Sequence, residues 1–77
     1  MKERILTILN QLGADRDYEN SKDFLDEGLL DSFEIVELVG KLEEEFNIEI
    51  SGKDIIPENF INLETIQKLV LKYREEA

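Results

Sequence analysis

The chain has 77 residues, 42% of them hydrophobic, and sets nineteen acidic side chains against nine basic ones for a formal net charge of -10. That length supports one small core of packed helices and excludes a catalytic domain with a deep cleft. The absence of His and Cys removes the usual imidazole base, a thiol nucleophile, a thiolate zinc site and any disulfide framework. Excess acid repels nucleic-acid phosphates and anionic membranes and selects partners that present Lys and Arg. With no long apolar run and no signal-like start, a cytoplasmic protein without stable membrane insertion is expected.

Residues 3–12 place Ile5, Leu6, Ile8, Leu9 and Leu12 at helical spacing, with Gly13 as the stop. From Ala14 to Leu30 there is no sustained periodicity, yet Tyr18, Phe24, Leu25, Leu29 and Leu30 imply a long structured loop wrapped over the core. Asp31 and Glu34 have capping-box spacing and start a helix that runs to about Phe46, with Ser32 in its first turn. Ile35, Leu38, Val39, Leu42 and Phe46 form its core stripe, while Phe33, Val36, Glu37, Gly40 and Glu44 share an adjacent face. Ile48 and Ile50 alternate with polar neighbours in a connector too short for a stable sheet. Ser51 and Asp54 repeat a cap-like spacing, and Pro57 begins a tight turn before Phe60, which predicts a short third helix. Asn62 caps a final helix whose Leu63, Ile66, Leu69, Val70 and Tyr73 face inward. These four helical stretches predict an all-α bundle.

Twelve of the acids fall between Asp17 and Glu49, against only Lys22 and Lys41. Asp23, Asp26, Glu27 and Asp31 lack the ligand order and central glycine of an EF-hand, and no metal site is expected. Tyr18, Phe24, Phe46, Phe60 and Tyr73 are read as packing groups, since base stacking calls for a basic surface. The segment Gly28-Leu29-Leu30-Asp31-Ser32-Phe33-Glu34 puts one hydroxyl at the acid-rich start of the clearest amphipathic helix. Unpaired amides at a helix start favour a nearby anion. With no imidazole beside it, Ser32 reads as a point of attachment rather than a catalyst, the alternative being an ordinary first-turn serine. Asp31 and Glu34 could also hold a metal belonging to the modifying enzyme's reaction, or serve simply as the cap and its partner.

Leu30-Asp31-Ser32-Phe33, followed by Val36-Glu37-Leu38 and Leu42-Glu43-Glu44-Glu45-Phe46, resembles the acyl carrier protein family over nearly the whole chain. The resemblance implies a small acyl-carrier-like four-helix bundle with a long loop between helices one and two, and one carrier domain over residues 1–77. It also implies that Ser32 receives 4′-phosphopantetheine from coenzyme A through a holo-carrier-protein synthase, as a phosphodiester whose terminal thiol holds acyl or aminoacyl groups as thioesters. The thiol missing from the polypeptide would thus come from the arm, and catalysis would belong to partners. Those partners are the synthase, an acyl- or aminoacyl-loading ligase, and a downstream transferase or condensing enzyme, which the chain meets as a monomer. Asp31, Phe33, Glu34, Val36, Glu37, Gly40, Glu43 and Glu44 would form the docking surface.

Phe33 stands where fatty-acid carriers commonly have Leu, and Gly40 where many have a larger residue such as Met. Glu27-Gly28-Leu29-Leu30-Asp31-Ser32-Phe33 is similar instead to D-alanyl carrier proteins and some free-standing carriers of specialised pathways. D-alanylation of the cell envelope is therefore one alternative function, and an unmodified acidic interaction module is another. A serine hydrolase would need a base and an oxyanion-binding cleft that this chain does not supply.

Overall fold

Ile5, Ile8 and Leu9 line the buried side of α1, Lys2–Leu12, in the computed structural model, which describes residues 1–76. The helix ends as the Gly13 amide donates to the Leu9 carbonyl at 3.1 Å. Gly13 is extended, with φ of -160°, so its use is space: a Cβ there would fall 2.5 Å from Nε of Arg16.

The loop that follows is sealed onto the core by Phe24. Its ring is fully buried and meets Tyr18 edge-on at 5.3 Å between centroids, a preferred geometry for aromatic pairs. The Phe24 amide donates to the Ile61 carbonyl at 2.6 Å, and the Phe24 carbonyl accepts from the amides of Leu29 and Leu30 at 2.7 and 3.2 Å. Gly28 turns the chain with φ of 73°, a region that favours glycine. The loop thereby delivers the chain to α2, Ser32–Phe46, in a defined register.

Ile35, Leu38, Val39, Leu42 and Phe46 are buried along α2, which ends at Asn47 in the left-handed conformation. Ile48 and Ile50 are buried as the connector requires, and the Ile50 amide donates to Oε2 of Glu43 at 2.9 Å. In α3, Leu63–Glu76, Leu63, Ile66, Leu69 and Val70 complete the core. Asn62 caps α3 by accepting from the Thr65 amide at 2.9 Å, while Thr65 Oγ1 accepts from the Asn62 amide at 3.1 Å. Phe46 also carries the Arg4 guanidinium 4.5 Å above its ring, closing the end of the core where α1 meets α2.

The four-helix bundle expected from the sequence does not form. There are three α-helices, and the segment expected to hold a short third helix makes two 3-10 turns, Gly52–Asp54 and Pro57–Phe60. Pro57 lacks an amide proton and drives the preceding residue out of the helical region, and Ile56 is accordingly extended at φ -124°, ψ 152°. The Ser51 side chain makes no capping bond. Asp54 bonds instead to Lys72 and Tyr73 of α3. The carrier domain expected over residues 1–77 includes Ala77, which lies outside the described residues. Among the described residues, no helix is long and apolar enough to cross a membrane.

Candidate functional site

Ser32 is the first residue of α2 and is exposed. Its position is fixed by the reciprocal capping box around it. The Glu34 amide donates to Oδ1 of Asp31 at 2.8 Å, and the Asp31 amide donates to Oε1 of Glu34 at 3.3 Å. A cap of this kind contributes about 1 kcal/mol to helix stability. Among the described residues no hydrogen bond engages the first-turn amides of Ser32 and Phe33, both of them exposed residues. An exposed hydroxyl at the positive end of a 15-residue helix suits a covalently held phosphodiester.

Arg16 braces this turn from the loop. Its Nη1 donates to Oε2 of Glu34 at 2.6 Å and to the Leu29 carbonyl at 2.8 Å, and lies 3.3 Å from the Tyr18 hydroxyl. The Tyr18 hydroxyl shares the Leu29 carbonyl, donating to it at 3.3 Å. The ion pair is sheltered, with side-chain exposures of 33% for Arg16 and 20% for Glu34. Glu34, and then Tyr18, hold the guanidinium's proton more firmly than usual.

Of the residues expected to dock partners, the structure brings Phe33, Val36, Glu37, Gly40 and Glu44 onto one exposed face of α2, which lies opposite the core stripe rather than adjacent to it as expected. Phe33 is 79% exposed and Val36 is 67% exposed. These are large values for apolar side chains with a core close by. Asp31 is exposed at the head of this face as its cap. Glu34 and Glu43 stand to either side. The first is half-buried against Arg16 and the second is half-buried beneath the Ile50 amide, so both carboxylates are engaged within the chain. On the α1 side, Arg4 pairs with Glu45 at 2.7 Å, and Lys41 donates to Gln11 at 3.5 Å.

Sequence reasoning missed Arg16. The one available signal was an arginine at the edge of an acid-rich stretch, and its partner Glu34 lies 18 residues away. The role of Asp54 was also missed. Its carboxylate accepts from Lys72 Nζ at 2.8 Å and from the Tyr73 hydroxyl. Asp23, one of the acids weighed for calcium, accepts from the amides of Leu25 and Asp26 at 3.0 Å each, an Asx turn. Among the described residues, no group of three or more acidic side chains is arranged to hold a metal ion.

A family model described as a phosphopantetheine attachment site matches residues 3–71. A D-alanyl carrier protein of Leuconostoc mesenteroides is 46% identical over 50 residues, and one of Leuconostoc citreum is 44% identical over 50. Each match covers 64% of this chain and 64% of the relative, so the matched region spans just under two thirds of either relative's length. An acyl carrier protein of Buchnera aphidicola subsp. Baizongia pistaciae is 39% identical over 67 residues, covering 86% of this chain and 83% of that protein. No solved structure matches.

Proposed function

Because the chain belongs to the phosphopantetheine-attachment family of carrier proteins, we propose that residues 1–77 form one carrier domain, that Ser32 is its attachment point, and that its cargo is D-alanine. The exposed Ser32, first in α2 in a chain with no imidazole to activate it, is the observation that carries the attachment reading. Its oxygen gives its proton to a base of the holo-carrier-protein synthase and bonds to the pantetheine-bearing phosphorus of coenzyme A. The pyrophosphate bond breaks and 3′,5′-ADP leaves. The attached arm supplies the thiol on which cargo is held as a thioester. Asp31 fixes the start of α2 through the cap, and the first-turn amides would be available to a phosphodiester held on Ser32.

Phe33, Val36, Glu37, Gly40 and Glu44 form the contact surface, apolar groups supplying fit and carboxylates guiding approach to basic patches. Glu34 and Glu43 support that surface from its flanks. The D-alanyl reading is supported by Glu27-Gly28-Leu29-Leu30-Asp31-Ser32-Phe33 and by the two Leuconostoc relatives. An acyl cargo is the second reading, favoured by acyl carrier relatives of comparable identity. Partners under the first are a holo-carrier-protein synthase, a D-alanine-activating ligase and a downstream transferase.

Intact-protein mass spectrometry tests both levels. Incubation with coenzyme A, magnesium and a broad-specificity synthase should give a single phosphopantetheine-sized increase that Ser32→Ala abolishes. D-alanine, ATP and the activating ligase should then add a second, alanine-sized increase, with AMP and pyrophosphate released, that a fatty-acyl-loading enzyme does not match. Protein that starts without an arm and takes none up, beside a converted control carrier, would point to an unmodified interaction module.

A further inference from the structure

Arg16 grips the chain on both sides of Ser32. The Leu29 carbonyl, three residues before the serine, and the Glu34 carboxylate, two residues after it, both accept from the same guanidinium nitrogen, at 2.8 and 2.6 Å. Between those anchors lie Asp31, held by its cap, and the exposed hydroxyl. The other Glu34 oxygen accepts from the Asp31 amide, so one carboxylate joins the cap to the loop. Arg16 also balances a negative charge two residues from the serine, where an anionic donor has to approach. Gly13 leaves room for this arrangement, since a Cβ there would fall 2.5 to 2.9 Å from Arg16 Nε, Cδ and Cζ.

We propose that Arg16 is a positioning residue for phosphopantetheine transfer: by bracketing residues 29 to 34 it holds the Ser32 oxygen in line with the phosphorus it attacks. The inference rests on Ser32 being the attachment point. Arg16 itself takes no part in the bond changes, in which the Ser32 O–H bond and the coenzyme A pyrophosphate bond break and a serine O–P bond forms. Misplacing a reacting atom by a fraction of an ångström slows such a step without touching the docking face.

The test measures Arg16→Gln in the full chain at two stages. In transfer from coenzyme A, kcat should fall about tenfold or more while KM stays within about twofold, because Phe33, Val36 and Glu37 remain in place. Variant protein driven to the attached form by prolonged incubation with excess synthase should then be loaded by the D-alanine-activating ligase at the wild-type rate, since serine geometry no longer limits that step. A merely structural role would slow both stages together, and that result overturns the proposal, as does an unchanged transfer kcat. Wild-type protein that accepts no arm overturns the attachment reading and this inference with it, whereas normal conversion of both proteins overturns the inference alone. Should Arg16→Gln lose the wild-type helical circular dichroism, Gly13→Ala carries the same test, because it keeps the arginine and displaces its guanidinium. A fall in transfer kcat alone is expected there, and an unchanged kcat refutes the role.

Discussion

Gly40 sits in mid-helix on the exposed face of α2, and a Cβ built on it meets nothing within 4 Å. Neither a positive φ nor a close approach within the chain calls for glycine there, while a glycine in a helix interior costs about 0.5–1 kcal/mol relative to alanine. Gly40→Ala should therefore raise the urea midpoint by an equivalent amount with an unchanged slope. A lower midpoint would mean that the helix uses the gap. If the fold does not need the small residue, the surface that lands on this face is the place to look for its use. Phe33 lies on the same face and is 79% exposed. Replacing Phe33 by Leu and Gly40 by Met should slow loading by an amino-acid-activating ligase relative to a fatty-acyl-loading enzyme. Loading kinetics left unchanged by the substitutions with both enzymes would remove the two residues from partner choice.

At the scale of elements, the junction between the first 3-10 turn and α3 is a titratable tie. Lys72, and then the Tyr73 hydroxyl, hold the Asp54 carboxyl below its ordinary range, and Asp54 in turn holds the Tyr73 hydroxyl above its own. A depressed carboxyl contributes stability that is complete above the unfolded value of about 3.9 and is lost as pH falls through the folded one. The raised phenol contributes below about 10 and loses that contribution as pH rises through its folded value. Wild type should thus exceed Asp54→Asn in urea-unfolding free energy by a constant margin near neutrality, and the margin should narrow in acid. A margin unchanged to strongly acidic pH would show that the carboxylate's charge does not matter. This tie also marks where the sequence stopped being legible. The three α-helices could be read from apolar stripes sustained over several turns, and Asp31 with Glu34 could be read as a box because both partners lie within one turn. A 3-10 turn of three or four residues has no period to detect, so the cap-like pair Ser51 and Asp54 suggested a helix that Pro57 prevents. Ser32 and its exposed face were legible for the same local reason as α2. Arg16 was not, because its bonds to Leu29 and Glu34 are set by how the loop folds over Phe24 rather than by spacing.

Across the whole molecule, a net charge of -10 is carried on a body of 33 × 23 × 19 Å, so many like charges lie within two or three screening lengths of each other at about 0.1 M salt. Two consequences of that field have opposite signs. Mutual repulsion among the carboxylates opposes the compact state, so added salt should raise the melting temperature. Attraction to a basic enzyme patch speeds encounter, so the same salt should lower kcat/KM for the holo-carrier-protein synthase and leave kcat nearly unchanged. Both quantities, followed from about 0.02 to about 0.5 M sodium chloride, a range over which the screening length falls from roughly 20 Å to under 5 Å, separate the explanations. Rising stability with falling kcat/KM assigns the salt effect to steering by the acidic surface around α2. A kcat/KM that stays flat would transfer recognition to the apolar contacts of Phe33 and Val36, whose attraction does not depend on charge. A kcat/KM that falls together with stability would trace the loss to the fold, and the acidic surface would then have no part in finding the partner.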